Sequence, residues 1–202
     1  MVTTTITTNH DVAIIGGGMA GSCTAYFLLK AAPHLSVCVV EPDPTYEFAS
    51  TLRASGGCRV QFSCPENIEM SLFGIDFIKQ FERTMATDGH AAAVDWIEGG
   101  YLFIVPPESV SGLARNVRRQ QAHGGVVNLL TPDELKQKFP SMHVGDLGAG
   151  AHSPRDGWCD PHGLLWGFRR KAVKLGAVSL DLSRLGYERV EAAEPYAEEG
   201  IL

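Results

Sequence analysis

No run in the 202-residue chain approaches the ~18 consecutive apolar residues that cross a bilayer, so no integral membrane segment is expected. A long basic stretch is missing too. With 17 Lys and Arg against 23 Asp and Glu, the formal net charge is −6. The phosphate-neutralising surface that nucleic-acid binding requires is therefore lacking, and the short cluster from Arg115 to Arg119 reads as a solvated helix face. The five cysteines, Cys23, Cys38, Cys58, Cys64 and Cys159, are odd in number and form no C-x-x-C pair. They suggest no disulfide framework, and they point to a reducing compartment. The opening Met1–His10 has neither Lys nor Arg and few apolar residues, which argues against a secretory signal or a mitochondrial presequence. It reads as a polar leader, and a cytoplasmic location is expected. No P-loop is present, and no Ser-His-Asp arrangement can be argued from spacing. Cys159-Asp-Pro-His162, with His143 and His152 not far off, has no second paired motif, so no metal is expected.

What the chain does have is a dinucleotide cradle at its start. Val12 to Ile15 are a β-branched run suited to a buried parallel strand, and Gly16, Gly18 and Gly21 supply the G-x-G-x-x-G spacing that turns a strand into a helix. Gly16 permits the tight turn, Gly18 lets the backbone approach a pyrophosphate, and Gly21 lets the helix lie on the strand. Ala25, one turn later, keeps that face narrow. The N–H groups of the first turn, at Met19 and Ala20, then meet a diphosphate at the positive end of the helix dipole. Glu41 follows Gly21 by twenty residues, at the end of the strand Val37–Val40, where a carboxylate can accept hydrogen bonds from an adenosine ribose. That acid repels a 2′-phosphate, and no Arg or Lys lies between Lys30 and Arg53 to hold one, so the ligand is FAD or NAD rather than NADP.

After Pro42-Asp-Pro44 comes a long aperiodic segment, Phe48 to Val60, of the kind that is usually functional inside a compact domain. From Asn67 to Met85, Ile68, Leu72, Ile75, Ile78, Phe81 and Met85 recur at helical spacing and read as core. Trp96–Glu98, Gly99-Gly100 and Tyr101–Val105 read as a β-hairpin around a two-glycine turn. A helix from Ser109 to Gln121 precedes a strand from Val126 to Leu130, and Thr131-Pro-Asp-Glu134 is a capping box opening a short helix. Asp160 is expected to cap a helix that starts at Pro161 and closes at Gly176, with Ala177–Leu180 returning as a third parallel strand. Trp158 reads as a buried platform over the sheet. Cys58 and Cys64 read as small, partly buried thiols, with no neighbouring base to make either a nucleophile.

These motifs, in this order, resemble the FAD-dependent oxidoreductases that include sarcosine oxidase, glycine oxidase and D-amino acid oxidase. Four stretches carry the resemblance: Asp11 to Gly21 with Glu41; Ser50-Thr51 to Gly57-Cys-Arg59; Gly99-Gly100-Tyr-Leu-Phe; and Gly157-Trp158 to Asp160-Pro161 with Gly176-Ala177. The resemblance implies an α/β fold, an FAD/NAD(P)-binding Rossmann-like parallel sheet with part of an inserted α+β substrate domain. It implies FAD as cofactor, with Gly16, Gly18, Met19, Ala20, Gly21 and Glu41 on its ADP half, and Ser50, Thr51, Gly57 and Arg59 near the pyrophosphate or isoalloxazine. Arg59 is the expected catalytic residue, stabilising negative charge on reduced flavin or clamping a substrate carboxylate. The substrate would be a small amine or amino acid, oxidised at a C–N bond by hydride transfer to flavin N5, with oxygen or another electron acceptor as second partner. Residues 11–60 and 156–185 would form the cofactor domain, 61–155 part of the substrate domain, 1–10 a leader and 186–202 an irregular tail. No second glycine-rich segment follows Leu180, so the chain is expected to be the N-terminal part of a longer protein. An NAD-dependent dehydrogenase and a non-catalytic flavin-binding assembly protein are the alternative readings.

Overall fold

A computed structural model describes residues 9–47 and 49–181. The leader up to Thr8, Phe48 and the tail from Leu182 lie outside the described residues. Strand β1 (Val12–Ile15) leads through a glycine turn into helix α1 (Met19–Ala31), and the chain returns as β2 (Val37–Glu41). Strand β2 is buried along almost its whole length, but β1, expected as a buried strand, is not: it lies at the sheet edge with Ala13 and Ile15 exposed, Ile15 to 80%. The two strands pair in parallel, Val12 with Val37 through Ile15 with Val40. Helix α1 presents Ala25, Tyr26 and Leu29 to the core, each almost fully buried.

One turn of 3-10 helix (Ser50–Arg53) and the two-residue strand β3 (Gly57–Cys58) follow. The long helical pattern is not continuous: α2 (Pro65–Lys79) and α3 (Phe81–Met85) are separated at Gln80, whose N–H bonds back to the Phe77 carbonyl at 3.1 Å. The break turns Phe81 and Met85 into the core, where they are 0% and 1% exposed. Phe77 stacks on Phe168 at 5.6 Å between ring centroids, and Phe81 meets Phe168 edge-on at 5.2 Å, so α2 and α3 share a core with α1. Such aromatic pairs add about 0.5–1.5 kcal/mol each beyond the area they bury.

The expected hairpin does not form. Strand β4 (Tyr101–Val105) pairs with a strand far downstream, and of residues 96–98 only Ile97 bridges, to Trp158. The two glycines serve close approach instead of a hairpin turn. A Cβ at Gly99 would run into the Trp158 ring, and Gly100 adopts φ +75°, with its N–H donating to the Asp156 carbonyl at 2.8 Å. After a 3-10 turn (Pro107–Ser109) come α4 (Val110–Ala122), β5 (Asn128–Leu130) and α5 (Pro132–Lys138). Helix α5 opens on a complete capping box, with the Thr131 hydroxyl accepting from Glu134 N–H and the Glu134 carboxylate accepting from Thr131 N–H. Arg119 is not simply solvated. It donates to the Ser63 carbonyl at 2.7 Å and so ties α4 to the segment ahead of α2.

Strand β6 (Ala149–Ser153) is the centre of an antiparallel sheet ordered β4-β6-β5. Beside it, β7 (Gly157–Trp158) pairs antiparallel with β3. Helix α6 (Pro161–Lys174) starts where expected: the Asp160 carboxylate accepts from His162 N–H at 2.9 Å and from Gly163 N–H at 2.8 Å. It ends in a Schellman arrangement, with Gly176 at φ +110°, its N–H bonded to the Val173 carbonyl and Ala177 N–H bonded to the Ala172 carbonyl. The chain then enters β8 (Val178–Asp181), parallel to β2 from Cys38–Val178 to Glu41–Asp181, giving the order β1-β2-β8. The third parallel strand is present as read from the sequence.

Candidate active site

The loop between β1 and α1 takes its shape from its glycines. Gly16 sits at φ +93°, a conformation that favours glycine. A Cβ on Gly21 would collide with the Gly16 carbonyl oxygen, so this glycine lets helix and strand touch. A Cβ on Gly18, in contrast, would meet nothing within 4 Å, which leaves open space beside the helix N-terminus. Gly18 is the N-cap but supplies no side-chain cap, and the first turn, with Met19 and Ala20, holds no acidic residue. The positive end of the α1 dipole is therefore not neutralised by a side chain of its own first turn. The donors and the clearance fit a diphosphate.

Glu41 closes the cradle at the end of β2, only 9% exposed. Its Oε2 accepts from Gly17 N–H at 2.7 Å and its Oε1 from Asp43 N–H at 3.0 Å. A carboxylate has about four lone-pair sites, so two remain for ribose hydroxyls after these backbone bonds. The sequence reading missed the first role: the acid also fixes the glycine turn. It missed Tyr46 as well, a residue at φ +59° with 2% exposure, whose hydroxyl would lie 2.9 Å from a Cβ on Gly17. Arg169 lies over Tyr46 and over Trp166, 5.5 and 4.8 Å from their ring centroids. Burial pushes the Tyr46 phenol above its ordinary range, against the Arg169 charge. Nothing in the local pattern around Tyr46 signals this position.

Gly16 and Gly18 on the turn, Met19, Ala20 and Gly21 in the first turn of α1, and Glu41 at the end of β2 thus lie around one helix N-terminus. Ser50 and Thr51 stand on the 3-10 turn that packs against α6. Gly57 and Arg59 belong to a second group, at β3 and just after it. The Arg59 guanidinium carbon lies 5.0, 5.4 and 5.5 Å from the ring centroids of Phe62, Tyr101 and Phe103. This aromatic surround holds the cation by its ring faces, and the buried Nε has no hydrogen-bond partner. A cavity of about 190 Å³ opens beside Arg59, Gly57, Phe62 and Ile75. Asp156, 1% exposed, accepts from Val60 N–H at 3.0 Å through Oδ2, fastening the segment that carries Arg59 to the turn between β6 and β7. Burial holds its carboxyl above the usual range, opposed by the Val60 N–H, the neighbouring Ser153 hydroxyl and the charges of Arg59 and Lys79. Even so, Asp156 Oδ1 and Ser153 Oγ complete no hydrogen bond of good geometry. Trp158 is 44% exposed, not the buried platform expected, because its ring lies over Gly99 at the surface. Cys64 is exposed rather than partly buried, with its thiol donating to Glu66 at 2.6 Å.

A parallel sheet with a glycine turn, a helix N-terminus and an acid at the end of the second strand defines a dinucleotide-binding α/β protein. The model of the FAD dependent oxidoreductase family matches residues 11–185, and the chain belongs to that family. The chain is 39% identical over 171 residues to FAD-dependent oxidoreductase domain-containing protein 1 of Xenopus laevis, covering 82% of this chain and 34% of that protein. It is 29% identical over 168 residues to mitochondrial sarcosine dehydrogenase of Mus musculus, covering 83% of this chain and 18% of that one. Among solved structures, L-proline dehydrogenase from P. horikoshii superposes with a TM-score of 0.73 at 28% identity, covering 86% of this chain and 44% of that one. The chain spans about a third of the length of the first curated relatives it matches. FAD, the cofactor expected from the cradle and the resemblance, is the cofactor of this family. No helix among the described residues is long and apolar enough to cross a membrane.

Proposed function

We propose that this chain is the cofactor-holding part of an enzyme that oxidises a C–N bond of a small amine or amino acid. The observation that carries the reading is the clear space at Gly18, bounded by an uncapped, acid-free helix N-terminus and by Glu41. Bound FAD supplies the hydride acceptor, flavin N5. In this reading the loop from Gly16 to Gly21, including Met19 and Ala20, receives the diphosphate, and Glu41 accepts from the ribose. Ser50, Thr51 and Gly57 contact the pyrophosphate or ring region. Arg59 is the catalytic residue: a permanently charged guanidinium, held by three rings, orients a substrate carboxylate or offsets negative charge developing beside it. Residues 11–60 and 156–185 hold the cofactor, and 61–155 supply part of the substrate-facing unit. Electrons pass to oxygen or another acceptor, and the five free thiols support a reducing, cytoplasmic setting.

The substrate class draws on the names of the relatives. Sarcosine and L-proline, which two of those names print, are both amino acids with a C–H bond adjacent to nitrogen and a carboxylate that an arginine can clamp. The test is to titrate the purified chain with FAD and then add sarcosine, L-proline and a panel of simple amines without oxygen. Flavin binding by the chain is expected, and bleaching by one of them when a C-terminal half is supplied in the same chain. Failure to bind FAD would remove the cradle assignment, and bound flavin that no amine bleaches would favour a non-catalytic flavin-binding role.

A further inference from the structure

Two cysteines far apart in sequence meet beside the Arg59 segment. Cys58 ends β3 and Cys159 follows β7, and the ladder pairs Cys58 with Gly157, while Cys159 N–H donates to the Gly56 carbonyl at 3.1 Å. In an antiparallel pair, residues facing each other project from the same side, so Cys58 and Cys159 share a face as diagonal neighbours. The residues facing them, Gly157 and Gly56, have no side chains to fill the space between. Both thiols turn toward one acceptor: Cys58 Sγ lies 3.6 Å and Cys159 Sγ 3.9 Å from the Gly56 carbonyl oxygen. Neither glycine tolerates a side chain, since a Cβ on Gly56 would strike the Cys159 carbonyl and one on Gly157 the Ile97 carbonyl.

We propose that Cys58 and Cys159 are a reversible dithiol site, which a peroxide converts into a disulfide joining β3 to β7. The two sulfurs are chemically unequal. The hydrogen bond from Cys159 holds the Cys58 thiol below its usual range, against the opposing effects of burial and Asp156. The same bond, with burial, pushes Cys159 up. Cys58, half-buried and lining the cavity beside Arg59, is the attacking thiolate, and Cys159, 4% exposed, is the resolving thiol. The Cys58 thiolate takes one peroxide oxygen, the O–O bond breaks, and the departing hydroxide is protonated to water, leaving a sulfenic acid. The Cys159 sulfur, losing its proton, then forms the S–S bond and expels the second oxygen as water. Two thiols lose two electrons and one peroxide becomes two waters. A thiol–disulfide exchange reductant reverses the bond. The site requires only a peroxide, so it stands whatever acceptor the enzyme uses.

The experiment uses the chain with Cys64→Ser, which removes the exposed thiol and leaves four cysteines. After hydrogen peroxide and quenching, thiols titrated in denaturant should fall from four to two. A non-reduced tryptic digest should join the peptide ending at Arg59 to the one beginning at Asp156, and dithiothreitol should restore both. Cys159→Ser should give an over-oxidised Cys58 with no bridge, and Cys58→Ser should leave all remaining thiols reduced. Four thiols surviving peroxide, oxidation confined to Cys23 or Cys38, or a sulfinic acid at Cys58 with Cys159 intact would overturn the proposal. A chain-to-chain bridge instead of an internal one would do the same.

Discussion

The Glu41 carboxylate accepts the backbone N–H of Gly17 at 2.7 Å, so the acid we propose for the ribose also braces the turn we propose for the diphosphate. Glu41→Ala removes a charged acceptor from both. FAD affinity is expected to fall by about 1–3 kcal/mol, the range for losing a hydrogen bond to a charged group. Titration of flavin fluorescence measures this, and unchanged affinity would show that Glu41 does not face the ribose. Glu41→Gln should recover part of the loss, because the amide oxygen can still accept from Gly17.

Gly18 and Gly21 are expected to behave oppositely, although both belong to one motif. Gly18→Val places its side chain in the open space beside the helix N-terminus, so the chain should fold while its flavin retention is lost. Gly21→Ala instead drives a methyl group into the Gly16 carbonyl, so it should lower the melting temperature. Circular dichroism and flavin absorbance on the same preparations separate the two, and a folded, flavin-retaining Gly18→Val would remove the anion-site assignment.

Asp156 titrates in the destabilising direction. Its folded-state pKa is raised, so its contribution to stability is full below the unfolded value of about 3.9 and declines as pH rises through the folded value. Asp156→Asn can retain an acceptor for Val60 N–H and carries no charge. The variant is expected to match the parent in acid and to exceed it in urea midpoint at neutral pH. The opposite order at neutral pH would mean that the charges of Arg59 and Lys79 outweigh the burial of the carboxylate.

Asp160 accepts two N–H groups of the first turn of α6, and α6 is the helix packed most extensively on α1. Asp160→Ala should cost about 1 kcal/mol, the usual value of an N-cap. Thermal or urea unfolding reads this directly. Asp160→Ser should restore most of it, and an unchanged midpoint in the alanine variant would show that packing alone sets the start of α6.

The parts of the fold written in short-range chemistry were readable from the chain. The β1 glycine turn, the Thr131–Glu134 box, the Asp160 cap and the Gly176 stop are each decided within a few residues. The hydrogen bonds of the box, the cap and the stop link near neighbours, which sequence spacing specifies, whereas the glycine turn was read from its glycines and its bonds reach Val40 and Glu41. The pairings of β4 with β6 and of β3 with β7 were not readable. Gly99-Gly100 suits a hairpin turn as well as it suits the passage of a chain under Trp158, and only the distant indole decides between them. Asp156 was likewise invisible as an anchor, because its partner, Val60 N–H, belongs to a segment without periodicity. The break at Gln80 was hidden by an apolar spacing that continues across it, since Ile78 and Phe81 reach the same core from either side of the kink.

The β1-β2-β8 order has a consequence for the timing of folding. The β1–α1–β2 unit is contiguous and can form as soon as it is synthesised, whereas β8 cannot lie beside β2 until the whole antiparallel sheet and α6 have been made. Closing so long a loop is a slow, entropically opposed step. The edge of β2 that ends in Glu41 therefore remains an open strand edge during synthesis, able to pair with another chain. In pulse-labelled hydrogen exchange, the amides joining Val39 and Val40 to Ser179 and Leu180 should gain protection after those joining β1 to β2, and simultaneous protection would contradict this sequence.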